Sequence, residues 1–134
     1  MSVFTADEIA YLSSQRLGRL ATAADGQPHV VPVGFRYNPE LDTIDIGGHG
    51  FAQSKKFRDV QKNPRVAFVV DDLASIDPWR PRGIEIRGVA EIVREGGKGV
   101  MPFFDDELFR VKPGRIFSWG LVTGVRGAGR DAGH

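Results

Sequence analysis

Lys55 and Lys56 stand side by side where a helix is expected to begin, directly after the run Gly47-Gly48-His49-Gly50. A helix N-terminus carries a partial positive charge, so cations there cost about 0.3–1 kcal/mol each unless an anion joins them. Ser54 is placed to cap the helix, Phe57 and Val60 give it an apolar stripe at the i, i+3 spacing, and Asn63-Pro64 ends it. The free backbone N–H groups of the first turn, the two ammonium groups and Arg58 would converge on one anion, most simply a phosphate. A lone Lys-Lys pair is ordinary solvated surface. The neighbouring glycines, which let backbone approach a ligand, and the basic residues elsewhere in the chain favour the anion reading.

Trp79-Arg80-Pro81-Arg82 is a second cluster with binding chemistry. Two prolines, Pro78 and Pro81, stiffen it. Arg80 and Arg82 suit bidentate recognition of carboxylate or phosphate, and Trp79 offers a flat apolar face for stacking. The alternative is that Trp79 closes a barrel end while the arginines are solvated. Trp119 alternates in step with Phe117 and Leu121 and reads as core.

Motifs for direct catalysis are missing. Gly47-Gly48-His49-Gly50 lacks the spacing of a dinucleotide fingerprint, and Gly96-Gly97-Lys98-Gly99 has no Ser or Thr after its lysine. His29, His49 and His134 have no metal-ligand spacing; Asp105-Asp106-Glu107 could suggest a hard-cation site, but three consecutive acids are more often a solvated helix start, so no metal is expected. No Ser-His-Asp set stands out. Any enzyme activity would draw its reactivity from a cofactor that the protein positions.

The 134 residues suit one domain, which at this size buries roughly 68–70% of its unfolded surface. Without cysteine there is no disulfide or thiolate chemistry, and the chain fits a reducing cytosol. No signal pattern or membrane-length apolar run is present, so a soluble cytoplasmic protein without membrane partners is expected. A net charge of +1 argues against nucleic acid as a partner.

The elements that would hold these residues follow from hydrophobic period and turn chemistry. Residues 5–14 read as a helix, with Thr5 and Glu8 spaced as a capping box. Residues 19–23 and 29–36 read as a hairpin closed by Asp25-Gly26, with Pro32 marking an edge or irregularity. Ile44 and Ile46 mark a third strand, and residues 65–70 a central one, apolar on both faces. Residues 71–81 read as a loop. The strand towards Arg94 alternates with a period of two, and Gly88 within it predicts a bulge or close approach. Residues 101–109 suggest one or two helical turns, and 115–122 the last strand. Residues 1–123 are assigned to one domain and 124–134 to a disordered tail. Such a run of strands with hairpin-scale links predicts a mainly β fold with short helices, an antiparallel barrel of six or seven strands.

The ordered set Gly18-Arg19-Leu20-Ala21-Thr22, Asp25-Gly26-Gln27-Pro28-His29-Val30-Val31-Pro32-Val33, Ser54-Lys55-Lys56, Asn63-Pro64-Arg65-Val66-Ala67, Pro78-Trp79-Arg80-Pro81-Arg82-Gly83, Arg87-Gly88-Val89-Ala90-Glu91 and Arg115-Ile116-Phe117-Ser118-Trp119 resembles the pyridoxamine 5′-phosphate oxidase-like family. Within it the chain is most similar to the branch that uses the deazaflavin coenzyme F420. The resemblance implies a split β-barrel homodimer with two cofactor sites at the subunit interface. It implies that Ser54, Lys55 and Lys56, with Arg58 nearby, take the cofactor phosphate. Backbone of Val31, Pro32 and Val33 would face the ring, and Gly48, His49 and Gly50 would line the approach. Trp79, Arg80 and Arg82 would reach the site from the partner, with the arginines on the coenzyme's oligoglutamate tail.

The activity so implied is hydride transfer between reduced F420 and a small electrophilic or conjugated acceptor. Tyr37 and His49 are the candidate proton donors, and no catalytic residue is assigned. A flavin mononucleotide (FMN) oxidase or flavin reductase is the rival enzyme. A non-catalytic carrier of deazaflavin or flavin is the rival outside enzymes.

Overall fold

The computed structural model describes residues 1–122, 125–126 and 129–132. Strands dominate, in the order α1 (Ala6–Ser14), β1 (Leu17–Ala24), β2 (Gln27–Asn38), β3 (Thr43–Gly47), α2 (Lys55–Lys62), β4 (Arg65–Ser75), β5 (Arg80–Val93), β6 (Leu108–Val122), β7 (Val125–Arg126) and β8 (Arg130–Asp131). Short 3₁₀ turns occupy Phe51–Gln53 and Gly97–Gly99. All pairings are antiparallel in the order β3-β2-β1-β4-β5-β6-β7, with β8 also on β6. Because β3 also pairs with β6, β1–β6 close into a barrel of six strands. Closure leaves few open strand edges, as expected for so small a sheet.

Local sequence accounts for most of these elements. Thr5 Oγ1 accepts the Glu8 N–H while Glu8 accepts the Thr5 N–H, which starts α1 with the expected capping box. Asp25 and Gly26 take φ of 55° and 77°, giving the two-residue turn that joins β1 to β2. β4 lies between β1 and β5, with Val66, Phe68 and Val70 in the core and Ala67 and Val69 only partly buried on the outer face. Leu20, Ile44, Ile46, Phe68, Val70, Ile84, Ile86, Phe109, Val111 and Ile116 fill the interior. Tyr11 of α1 bonds near the end of β4, whereas Asp59 of α2 bonds to Thr22, beside the start of β4, so the helices cover opposite ends.

Four expectations need correction. The loop expected over 71–81 is mostly strand: Asp72 pairs with Arg82 and Leu73 with Pro81, leaving only residues 76–79 as the tip of a long hairpin. Turn-forming composition suggested a loop, and cross-strand pairing, including the Asp72–Arg82 ion pair, overrode it. No helix forms over 101–109; β6 starts at Leu108, because Leu108, Phe109 and Val111 enter the core. Part of the expected disordered tail is held, since β8 pairs with β6 and Ala132 N–H donates to the Gly114 carbonyl at 2.9 Å. Residues 124, 127–128 and 133–134 of that tail lie outside the described residues.

The fourth correction concerns Trp119, which is half-buried on the outer face and not in the core. Arg87 pairs with Arg115 but Gly88 with Pro113, so Gly114 is an extra residue in β6. That bulge shifts the alternation by one. The inward set Phe109, Val111, Pro113 continues as Ile116, which sends Phe117 and Trp119 outward. The glycine expected at a bulge lies beside it, and a Cβ on Gly88 would run into the Lys112 carbonyl.

Candidate functional site

Gly47 ends β3 opposite Gly34 of β2. Below that pair, among the described residues, β2 keeps only β1 as a neighbour: Leu20 pairs with Val31, Arg19 with Pro32 and Gly18 with Val33. No described strand pairs with the other edge of β2 over 27–33, because the chain has turned through Gly48–Gly50 into α2. Pro32, expected at an edge, is on one. Val33 is buried, Val31 partly buried and Pro32 exposed.

The helix start lies just beyond this turn. Ser54 Oγ accepts the Phe57 N–H at 3.3 Å and donates to the Phe51 carbonyl at 2.6 Å, which caps α2 and ties it to the preceding 3₁₀ turn. The backbone N–H groups of Lys55 and Lys56 occupy the first turn, where no intrahelical acceptor exists. The two lysine side chains differ. Lys55 Nζ bonds Asp59 Oδ1 at 3.0 Å, one turn along the same helix. Asp59 is buried and also accepts from Thr22 Oγ1 at 2.8 Å. The Lys55 hydrogen bond is the main cause holding the Asp59 carboxyl below the usual range, with Thr22 and the neighbouring His29 adding to it.

Lys56 has no hydrogen bond or ion pair among the described residues. Its Nζ lies 5.3 Å from the centroid of the Phe51 ring, and burial lowers its pKa. An ammonium group that has lost water without gaining a carboxylate is poised for an anion. Arg58 turns back to donate to the Gln53 carbonyl at 2.9 Å.

The segment between the second 3₁₀ turn and β6 fastens the Gly48–Phe51 turn. Asp105 Oδ2 accepts the Phe51 N–H at 3.1 Å, and the Asp105 N–H donates to the Gly48 carbonyl at 3.0 Å. Gly50 takes the left-handed conformation at φ 56°. The exposed His49 ring stacks on Phe103, with centroids 5.5 Å apart and planes at 25°. Phe51 and Phe103 carry no signal in the sequence, and Asp105, read there as part of a solvated helix start, instead lies outside any helix and bonds this turn. The i, i+4 spacing of Lys55 and Asp59 was the one legible signal for the internal pair.

Trp79, Arg80 and Arg82 do not join this site within one chain. They sit at the far end of β4, whose 11 residues span roughly 35 Å from the end of α2. Arg82 is bidentate to Asp72 at 2.7 and 3.0 Å, and Tyr11 donates to the same carboxylate at 2.9 Å. The bond from Arg82 chiefly holds the Asp72 carboxyl low. Trp79 and Arg80 remain exposed. Of the candidate proton donors, Tyr37 gives its hydroxyl to Asp42 at 2.7 Å, and burial, with that bond, raises its pKa. His49 keeps an exposed ring.

The sequence profile described as pyridoxamine 5′-phosphate oxidase matches residues 5–120. The chain belongs to the pyridoxamine 5′-phosphate oxidase family. A relative from Streptomyces rimosus, named as a 5a,11a-dehydrotetracycline/5a,11a-dehydrooxytetracycline reductase, is 48% identical over 127 residues, 91% of this chain and 89% of the relative. Among solved structures, a conserved hypothetical protein from Mycobacterium tuberculosis is 26% identical with a TM-score of 0.68, covering 93% of this chain and 94% of the other. A protein from Mesorhizobium loti described as FAD-binding is 22% identical with a TM-score of 0.67, covering 86% and 93%.

This member of the pyridoxamine 5′-phosphate oxidase family also carries a cleft on the outer barrel face next to β2. It has a volume of about 330 Å³ and includes Arg19, Val30, Val69, Glu85 and Trp119 in its walls. Val30, which is 64% exposed, extends this apolar surface towards the open β2 edge.

Proposed function

We propose that this chain is a cytoplasmic oxidoreductase that uses coenzyme F420 to reduce a small conjugated or electrophilic acceptor, and that it works as a homodimer. The observation that carries the cofactor site is Lys56, a partly desolvated cation without a carboxylate partner among the described residues, next to an open strand edge. The reductase activity is supported by the name of the Streptomyces rimosus relative.

The residues fit such a coenzyme. Lys56 would neutralise its phosphate, assisted by the unbonded N–H groups of the first turn of α2. Lys55 contributes through the same helix end while remaining on Asp59. The open edge of β2 at Val31, Pro32 and Val33 offers backbone groups to a ring system. When bound, the deazaflavin supplies a hydride donor. The protein's part is to hold the donor face against an acceptor and to keep water away from it. His49 is the candidate source of the balancing proton, because Tyr37 is committed to Asp42. The outer face bearing Val30 and Trp119 is the surface proposed to meet a second copy, and only from there would Trp79 and Arg80 reach the site.

A flavin nucleotide is the second reading. The Mesorhizobium loti protein described as FAD-binding supports it at the level of the fold. Titration of the purified chain with F420 and with FMN, followed by turnover with a conjugated enone, separates the readings. Tighter binding of F420 with reduction of the enone is expected. Preference for FMN would favour the flavin reading, and binding without turnover would favour a carrier.

A further inference from the structure

Gly34 and Gly47 face each other across β2 and β3 and leave a bare patch of backbone on the outer side of the barrel. Phe104 fills it. A Cβ on Gly34 would lie 2.8 Å from the Phe104 ring, and one on Gly47 would lie 2.9 Å from it. Lys98 Nζ bonds the Phe104 carbonyl at 2.9 Å, and Asp105 bonds both Gly48 and Phe51. These bonds tie the segment around Phe104 to the Gly48–Phe51 turn and to Lys98.

On this base stand two rings that the core does not need. Phe103 is 60% exposed. It meets Phe104 edge-on at 5.2 Å and 82°, and stacks on exposed His49 at 5.5 Å and 25°. An exposed phenylalanine in a loosely held loop would be unremarkable. Here a keyed backbone patch, three hydrogen bonds and a second aromatic residue hold it in place. The shelf and Lys56 share one anchor, since Phe51 both bonds Asp105 and carries Lys56 over its ring.

We infer that Phe103, backed by His49, presents a stacking face that selects planar, fused-ring acceptors, with Phe103 as the specificity-determining residue. This rests on the reading of the α2 start as a cofactor site, because the acceptor must lie beside whatever Lys56 holds. The face of Phe103 opposite the one stacked on His49 matches the face of a fused aromatic or enone ring system, whereas a small aliphatic enone gains little from it.

The test uses the purified full-length chain, with and without F420, and its probes are anhydrotetracycline as a fused tetracycle with a planar aromatic half and cyclohex-2-enone as a small control. Calorimetric titration is expected to give an anhydrotetracycline affinity that falls about tenfold or more in Phe103→Ala and stays within about threefold in Phe103→Trp. F420 affinity should remain within about twofold in both variants. The inference is overturned if the wild-type chain does not bind anhydrotetracycline, or if Phe103→Ala binds it unchanged. It is also overturned if cyclohex-2-enone loses affinity by the same factor, or if F420 affinity falls in parallel. Failure of every variant to bind F420 would instead count against the cofactor assignment, and the titrations without F420 would still report on the shelf.

Discussion

Lys55 holds Asp59 at 3.0 Å across one turn of α2, while Lys56 beside it lies over the Phe51 ring with no ion-pair partner among the described residues. The pair that stands out in the sequence thus divides into a structural cation and one that is unpaired among the described residues. Removing Lys55 leaves the buried Asp59 carboxylate with Thr22 as its bonded partner, which costs stability. We predict that Lys55→Ala lowers the melting temperature by several degrees and that Lys56→Ala does not. Thermal unfolding followed by circular dichroism checks this; equal melting temperatures for the two variants would refute the division.

Arg130 of β8 reaches back 122 residues to Glu8 of α1, bonding both carboxylate oxygens, and also bonds the Val3 carbonyl at 3.0 Å. Burial alone would raise the Glu8 pKa. Hydrogen bonds from Arg130, Ser118 and the Thr5 backbone outweigh it and hold the carboxyl low. With the folded pKa below the unfolded value of about 4.3, this contribution is complete above that pH and is lost as pH falls through the folded value. Glu8→Gln is therefore expected to flatten the acid limb of a stability–pH curve. Arg130→Ala should cost about 2 kcal/mol at pH 7 by denaturant unfolding, less than a fully buried pair because the arginine is partly exposed.

The Gly34–Gly47 patch allows Phe104 to lie directly on backbone. A methyl group at Gly47 has to displace that ring. Gly47→Ala is expected to cost about 1–3 kcal/mol, the range of overpacking, and to loosen the Asp105 bonds to Gly48 and Phe51. Faster amide exchange at Phe51 would report the second effect. Unchanged exchange and stability would contradict the keyed packing.

Arg82 is spoken for by Asp72 and also lies over the Tyr11 ring at 5.1 Å. Arg82→Ala is expected to destabilise the barrel by about 1 kcal/mol, because the pair is partly exposed, and to leave F420 affinity within about twofold. Arg80→Ala should do the reverse if the hairpin tip reaches the partner's site. Comparing unfolding curves with cofactor titrations for both variants decides between these roles.

Short-range chemistry made much of the fold readable. The Thr5–Glu8 box, the Asp25-Gly26 turn, the Ser54 cap and the two-residue period of β5 each act within a few residues. What the sequence hid depends on contacts distant along the chain. A strand seeded by the Asp72–Arg82 pair looked like a loop, and one extra residue at Gly114 moved Trp119 from the expected core to the outer face. The site was half legible: the lysines announced a helix start rich in cations. Their unequal roles depend on burial of Asp59 and on Phe51, and the aromatic shelf depends on a loop packed over two glycines. Neither leaves a local pattern to read.

The most direct measurement is the equilibrium dissociation constant of F420 for the purified wild-type chain and for Lys56→Ala, taken at low and at high salt. The account predicts binding by the wild type, a loss of about tenfold or more in the variant, and a shallower salt dependence once the cation is gone. Equal affinity and equal salt dependence in the two proteins would contradict it.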